Sequence, residues 1–189
     1  RVIEIWNDVF MEYEIKDAKV VGKLKQKNVD TGAGLERMTA VMQGVQTAYD
    51  TDIFKPLMNA IEKMSSSVGS IRSQRIIADH LRTSTFMIAD GVRPSNNGRG
   101  YVLRRLLRRS IIQSDKIQLN TVGFLSLVDL VVIKYASEYP DSLLGKNTEI
   151  KLVIEHEINQ FKSTLENGLK EFKKLTHNIS SVNGLPLEK

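Results

Sequence analysis

The sequence predicts a mainly α-helical protein that starts with a short β segment and ends in one long helix. β-Branched and aromatic residues are concentrated in residues 1–13, a stretch that is short enough for a buried strand. From Leu35 onward, apolar residues recur at the spacing of amphipathic helices. Between Ile154 and Leu175 they recur alternately every four and every three positions, interrupted only by Gly168. This heptad pattern predicts a long helix that packs on another helix, within the chain in preference to dimerisation.

The composition excludes several classes of protein. At 189 residues, with 41% hydrophobic and 26% charged residues, the chain has room for one or two compact domains and does not resemble a disordered protein. It contains no run of about eighteen apolar residues, which argues against a membrane-spanning helix. The absence of cysteine excludes disulfides and thiol-ligated metals. The chain starts at Arg1 without a targeting signal, and we expect it to be a piece of a longer protein.

The first part of the chain predicts a hairpin followed by helices. The lysine-rich residues 14–28 are typical of a solvated hairpin or loop. Residues 28–34 predict a strand end that leads into a glycine turn. One helix is predicted from Leu35, and a second is predicted over residues 53–64.

A serine-rich segment, residues 65–70, is the clearest linker, so we expect two domains, 1–66 and 67–189. The second domain is predicted to be wholly helical, with helices over residues 71–89, 101–112 and 122–136. Residues 90–100 are dense in turn-forming residues and predict a loop. The tail from His177 onward is expected to be irregular.

Positive charge is concentrated in residues 71–112. This segment holds nine of the eleven arginines, two aspartates and no lysine, which gives it a local charge of +7 in a chain of net charge +5. The planar guanidinium group suits bidentate contact with phosphate. Because two aspartates cannot neutralise nine arginines locally, we expect an anionic polymer as the partner. The alternative is an arginine-rich helix that pairs internally with acids.

Four of these arginines form two pairs, each spaced one helical turn apart. Arg104 and Arg108 form one pair and Arg105 and Arg109 the other, and we expect both pairs on the outer helix face. His80, in the preceding predicted helix, is expected to be a satisfied core or interhelical residue rather than a catalyst.

The string from Val29 to Arg37 carries the most chemical information. Gly32 and Gly34 allow close approach of a ligand to the backbone, and the helix that follows offers free N–H groups to an anion. Arg37 lies within reach of a polyphosphate, and Asp30 is suited to hold an ammonium group. These residues point to a nucleotide beside a small amine, although an ordinary strand–turn–helix is the alternative. The string does not fit the dinucleotide fingerprint, whose third glycine would fall at Arg37.

Five blocks over residues 1–112 occur in a recognisable order. They are Ile3–Asn7, Val29–Arg37, Ile77–Arg82, Ile88–Gly91 and Pro94–Arg109. The second block resembles motif 3 of the class II aminoacyl-tRNA synthetases, and the set as a whole resembles the alanyl-tRNA synthetase family. Residues 113–175 fit this family only in length and helical pattern.

The resemblance implies the end of a class II antiparallel catalytic sheet followed by a helical tRNA-recognition domain. The implied activity is ATP-dependent attachment of alanine to its tRNA, through alanyl-adenylate. ATP with Mg²⁺ would enter as a substrate of the full enzyme, with no metal ligands in this piece. The implied partners are alanine, ATP and the acceptor stem of the tRNA. The implied location is the cytoplasm, although an organellar parent enzyme is not excluded.

The resemblance also implies residue roles. Arg37 would hold the γ-phosphate and Asp30 the ammonium group of alanine, which makes them the catalytic candidates. Gly32 would leave room for substrate, and Asn7 and Val9 would line the amino-acid pocket, unless they form a packed strand interior. The substrate-binding set is Asn7, Val9, Asp30, Gly32, Gly34 and Arg37.

For the tRNA, Asn96 is implied to read a G·U wobble pair in the minor groove, since an amide both donates and accepts hydrogen bonds. The arginines implied to grip phosphates are Arg99, Arg104, Arg105, Arg108 and Arg109.

The resemblance further places motifs 1 and 2 before Arg1 and the family's acceptor-stem aspartate beyond Lys189. We therefore expect that the isolated chain does not activate alanine. Two other hypotheses remain. One is a free-standing, non-catalytic helical module that binds RNA or DNA, and the other is a structural helical bundle with solvated arginines.

Overall fold

The computed structural model describes residues 2–66 and 70–183, with the side chains of the last helix described as far as residue 176. The chain divides into two compact units, which we call unit 1 (Arg1–Lys55) and unit 2 (Pro56–Lys189). The domain boundary predicted at 66/67 borders residues 67–69, which lie outside the described residues. That boundary therefore stays a prediction.

Unit 1 is built on one antiparallel hairpin. Its strands are β1 (Trp6–Lys16) and β2 (Lys19–Ala33). Asp17 and Ala18 form the two-residue turn, both with positive φ, which matches the twist of the strands. One residue, Gly34, separates β2 from the helix α1 (Leu35–Met42), and a short 3-10 helix (Ala48–Asp50) follows. The predicted strand and hairpin are thus confirmed. The predicted glycine turn is wrong, because Gly32 lies within β2 and Gly34 is a single extended residue between β2 and α1.

The expectation that the first strand is buried is wrong for this chain. Val9 is 47% exposed and Phe10 is 78% exposed. β1 packs mainly along β2, and neither face of the hairpin is covered along its length by the described residues of unit 1. Burial of a strand depends on what packs over the sheet, which the strand's own sequence does not specify.

Unit 2 is helical throughout its described residues. Its helices are α2 (Lys55–Met64, which begins at the last residue of unit 1), α3 (Ile71–Ala89), α4 (Gly98–Lys116), α5 (Thr121–Tyr135), α6 (Pro140–Leu143) and α7 (Asn147–Asn183). The antiparallel pair α3 and α4 forms the centre, and α5 and α7 pack against it. Fully buried Leu81, Leu103, Leu127 and Ile154 mark this core. The mainly α prediction with a small β segment is confirmed.

Several predicted helix boundaries are wrong. α4 runs over Gly98–Lys116 rather than residues 101–112, so the preceding loop is shorter than predicted and the helix ends four residues later. α7 continues to Asn183, so residues 177–183 are helical rather than irregular, whereas residues 184–189 lie outside the described residues.

The heptad pattern of α7 packs within the chain only in its first part. Ile154 and Ile158 are buried at 0% and 2% exposure, whereas Leu165, Phe172 and Leu175 are 41%, 61% and 62% exposed. Intramolecular packing is thus confirmed for the beginning of the pattern and wrong for its end, because α4 and α5 do not extend along the second half of α7.

Candidate functional sites

The predicted amino-acid-binding residues lie next to one another on the hairpin. Asn7 is the cross-strand partner of Gly32, and Val9 is the partner of Asp30. Cross-strand partners share a face of a sheet, as do residues two apart along a strand. All four residues therefore lie on one face, which brings a carboxylate, an amide and an apolar side chain together.

This face is open within unit 1. Asp30 is exposed, and a Cβ added at Gly32 would meet no atom within 4 Å. On the opposite face, the Thr31 hydroxyl donates a hydrogen bond to Asp8 Oδ1 at 2.7 Å. The second acidic side chain of this region is therefore already bonded, and it points away from Asp30.

Arg37 is anchored beside the start of the hairpin. Its Nη1 donates to the Glu4 carbonyl at 2.8 Å, and the Gly34 N–H donates to the Ile5 carbonyl at 3.2 Å. A guanidinium group has five N–H donors, so this bond positions the group with donors to spare. Gly34 has an extended backbone with φ of −83°, and a Cβ there would make ordinary contact with Arg37 at 3.6 Å. Neither its backbone angles nor the surrounding space requires glycine at this position.

The arginines of α4 fall into two groups. Arg99, Arg105 and Arg109 are exposed, and among the described residues no carboxylate forms an ion pair with them. Arg104 and Arg108 instead face α7, so the expectation that both pairs lie on the outer face is wrong for this one. Both arginines turn toward α7 because of Glu157, a residue that the sequence analysis missed.

Glu157 is buried at 1% exposure between the two arginines. Arg108 Nε donates to Oε1 at 2.7 Å, and Arg104 Nε lies 3.4 Å from Oε2. Arg108 also lies over the Phe161 ring, with its central carbon 5.0 Å from the ring centroid. One signal was available in the sequence, because Glu157 follows Ile154 by three residues and so shares the buried side of the helix.

Acids outside the arginine-rich segment therefore neutralise part of its charge. Besides Glu157, Glu149 pairs with Arg93. Arg93 also donates to the Ile88 carbonyl at 3.0 Å, which ties the loop to the end of α3. The internal-pairing alternative holds for Arg93, Arg104 and Arg108, while the exposed arginines of α4 remain available to a ligand.

A concave surface lies beside the exposed arginines. A cavity of about 580 Å³ is bordered by four arginines of α4 and by three apolar or aromatic side chains. Its lining residues are Arg104, Arg105, Arg108, Arg109, Tyr101, Ile112 and Phe161. A concave surface lined by both arginine and aromatic side chains suits a nucleic-acid strand, which presents phosphates and stacking bases.

Asn96 lies on the loop before α4, at the edge of this arginine cluster. Its Oδ1 accepts a hydrogen bond of 2.5 Å from Arg104 Nη1, and Arg104 Nη2 donates to the Pro94 carbonyl at 3.2 Å. The loop is pressed against the helix at Gly100, where an added Cβ would lie 2.2 Å from Ser95 Oγ. Glycine is required there, because the added Cβ would also lie 2.4 Å from the backbone carbonyl oxygen of Arg93.

His80 has one bonded and one unbonded ring nitrogen. Its Nδ1 lies 2.9 Å from Asp79 Oδ2, whereas its buried Nε2 has no hydrogen-bond partner within the described structure. The expectation of a satisfied interior histidine is thus met at only one nitrogen. The hydrogen bond from His80 lowers the pKa of Asp79, opposed by partial burial and aided by the charges of His80 and Arg82.

In residues 2–66 and 70–183, no three histidine or acidic side chains converge as metal ligands would. None of the described helices combines the length and apolar character needed to cross a bilayer.

Comparison with known proteins gives the family. Residues 1–189 match the family described as tRNA synthetases class II (A). Alanine–tRNA ligase from Thermotoga sp. (strain RQ2) is 40% identical, over 100% of this chain and 24% of its own length. The cytoplasmic alanine–tRNA ligase of Dictyostelium discoideum is 45% identical over 92% of this chain and 20% of its own length. The alanine–tRNA ligase of Rickettsia rickettsii (strain Sheila Smith) is 44% identical, over 98% of this chain and 21% of its own length.

The chain therefore spans less than a quarter of the length of these relatives. The family match covers the arginine-rich helices as well as the hairpin, so it applies to both units. On this evidence the chain belongs to the class II (A) tRNA synthetase family.

Proposed function

We propose that this chain is part of an alanine–tRNA ligase, in which it supplies part of the ATP and alanine site and contacts the acceptor stem of the tRNA. The observation that carries the proposal is the common face formed by Asn7, Val9, Asp30 and Gly32, in a chain whose relatives are named alanine–tRNA ligases. In the whole enzyme, the alanine carboxylate attacks the α-phosphorus of ATP and releases pyrophosphate. A ribose hydroxyl at the end of the tRNA then attacks the adenylate and releases AMP.

The residues of the hairpin suit the first step. Asp30 would pair with the ammonium group of alanine, while Val9 and Asn7 would border its short side chain. The space at Gly32 admits the substrate backbone, because any side chain there would project into the same face. Arg37 would hold the γ-phosphate of ATP, as a charge-assisted contact that positions the leaving pyrophosphate.

Mg²⁺ would arrive with the ATP. Since the described residues hold no cluster of three histidine or acidic side chains, we assign no residue of this chain to the metal. We also propose a cytoplasmic location, in line with the name of the Dictyostelium relative.

For the tRNA, we propose that the segment 67–189 is the recognition domain and that 1–66 is the end of the catalytic domain. The exposed Arg99, Arg105 and Arg109 would contact phosphates. Two of them, Arg105 and Arg109, border the same cavity as Arg104 and Arg108. Asn96 would read the G·U pair from the minor groove. Phosphate contacts give affinity, whereas the amide gives sequence preference.

The test compares two RNA hairpins that copy the acceptor stem of the alanine tRNA, one with the G·U pair and one with G·C. Fluorescence anisotropy of the purified chain should show tighter binding to the G·U hairpin. Asn96→Ala should remove the difference, whereas the neighbouring Asn97→Ala should keep it, because Asn97 makes no side-chain cap bond to α4. Equal affinity of the unmodified chain for both hairpins would support the non-catalytic nucleic-acid-binding alternative and contradict this proposal.

A further inference from the structure

Asn96 is connected to a buried carboxylate through a single arginine. Glu157 lies in the interface between α4 and α7, and Arg104 reaches from it to the exposed loop. A buried carboxylate loses its hydration, so leaving it without a cationic partner would carry a large free-energy cost. Glu157 therefore holds its arginine partners in place. The chain of contacts therefore runs from the core of unit 2 to the proposed RNA-reading residue.

Arg104 uses each of its three nitrogens within the protein. Nε faces Glu157 at 3.4 Å, Nη1 donates to Asn96 Oδ1, and Nη2 donates to the Pro94 carbonyl at 3.2 Å. Its side chain is only 19% exposed. These contacts differ from those of Arg105, which is exposed and has no ion pair among the described residues.

The contact decides how the Asn96 amide is turned. An asparagine side chain has an accepting oxygen and a donating NH₂ group, and its orientation follows from the hydrogen bonds around it. Because a guanidinium group can only donate, Arg104 must face the amide oxygen. The NH₂ group is then turned away from the guanidinium group and is free to donate to a ligand, while the oxygen keeps one further lone pair.

We propose that Arg104 is a positioning residue, held by Glu157, that turns Asn96 so that its NH₂ group donates to an acceptor atom on the minor-groove edge of an RNA pair. The acceptors available on that edge are base nitrogens and oxygens and the ribose 2′-hydroxyl. This inference rests on the proposed function. It assigns to Arg104 a part in sequence preference rather than in general phosphate binding.

The first test needs no RNA. The side-chain amide resonances of Asn96 are identified in a ¹⁵N-correlation spectrum by their loss in Asn96→Ala. Arg104→Lys keeps the charge but not the three-way contact, so it should shift these resonances. Arg105→Lys, one position along α4, should leave them in place. Unchanged Asn96 resonances in a folded Arg104→Lys protein would overturn the proposed contact.

The second test measures the preference for the G·U hairpin over the G·C hairpin. Arg104→Lys should lower the G·U over G·C affinity ratio by about tenfold or abolish it, while Arg72→Lys, at an exposed arginine of α3 outside the proposed RNA site, retains the ratio. Glu157→Gln should reduce the ratio as well, with melting temperatures recorded to show that each variant is folded. If folded Arg104→Lys keeps the full ratio, the positioning role is wrong.

Asn96→Asp tests which end of the amide is used. Aspartate keeps an oxygen for Arg104 but replaces the donating NH₂ with a second acceptor. The ratio should therefore be lost in this variant, and a retained ratio would show that the oxygen does the reading. If instead the unmodified chain shows no G·U preference, the proposed function fails, while the spectroscopic test of Arg104 still stands by itself.

Discussion

Arg108 and Glu157 form a buried ion pair across two helices, with Nε of the arginine 2.7 Å from Oε1 of the glutamate. The carboxylate is 1% exposed and also faces Arg104. One acidic residue of α7 therefore fixes two of the cations that the sequence places one turn apart on α4. This divides the arginines of α4 into a pair held by the protein and a set available to a ligand.

The stability of unit 2 should depend on Glu157. Glu157→Ala leaves two arginines in the interface without their carboxylate, and we expect a loss of about 3 kcal/mol in the free energy of unfolding. Urea unfolding followed by far-ultraviolet circular dichroism measures this change. Glu155→Ala, an exposed glutamate on the same helix, should change stability by less than about 0.5 kcal/mol. If the two substitutions lower the free energy of unfolding equally, the buried ion pair does not contribute to stability as expected.

Gly32 should matter for substrate rather than for folding. Since an added Cβ meets nothing within 4 Å, Gly32→Ala should leave the melting temperature of the chain unchanged. In the complete enzyme that carries this sequence, it should raise the KM for alanine in ATP–pyrophosphate exchange by about tenfold or more.

Gly22 provides the matched control for Gly32. It lies on the same strand with equal space around it, so Gly22→Ala should alter neither quantity. An unchanged KM for alanine in Gly32→Ala would contradict the placement of the substrate on this face.

The hairpin should be the less stable part of the chain. A two-stranded hairpin with exposed apolar side chains has little buried surface, so its amides open more readily than those of a helical core. Hydrogen exchange followed by mass spectrometry should show exchange at least about tenfold faster in β1 and β2 than in α4. Similar protection of the two regions would contradict this expectation.

Local signals in the sequence were enough to predict most elements. The predicted limits of α3, residues 71–89, agree with the structure, because a serine that caps its first turn precedes it and Asp90–Gly91 ends it. The early start of α4 was not predictable, because Asn97 and Gly98 are typical turn residues. In the structure the Tyr101 N–H donates to the Asn97 carbonyl at 3.1 Å, so the helical hydrogen bonds start from Asn97.

The candidate sites were predictable only in part. The hairpin residues follow from the string at 29–37 together with strand pairing. The role of Glu157 does not, because its partner Arg104 is 53 residues away and only the packing of α4 on α7 brings them together. For the same reason, the sequence could not show which arginines face inward.

Asp79 should make the protein sensitive to acid. Because its pKa in the folded state is below the ordinary 3.8, its ionised form adds stability above that pH. The contribution is lost as the pH falls through the lowered pKa. Asp79 is 45% exposed, so the effect should remain below about 1 kcal/mol.

Thermal unfolding between about pH 5 and about pH 2 measures this contribution. Stability should fall less steeply in Asp79→Asn than in the unmodified chain, while the exposed Asp115→Asn serves as control. Parallel pH profiles for the Asp79 variant and the unmodified chain would show that the contact with His80 does not contribute.

We propose that the exposed arginine face of α4 binds RNA phosphates, and the salt dependence of RNA binding tests this proposal most directly. The affinity for the acceptor-stem hairpin is measured at graded salt for the unmodified chain, for Arg105→Ala with Arg109→Ala, and for Arg72→Ala, an exposed arginine of α3. The double variant should reduce the magnitude of the slope of log affinity against log salt by about 1.4 to 1.8, because each lost phosphate contact removes about 0.7 to 0.9. Arg72→Ala should keep the full slope, and a double variant with an unchanged slope would contradict the account.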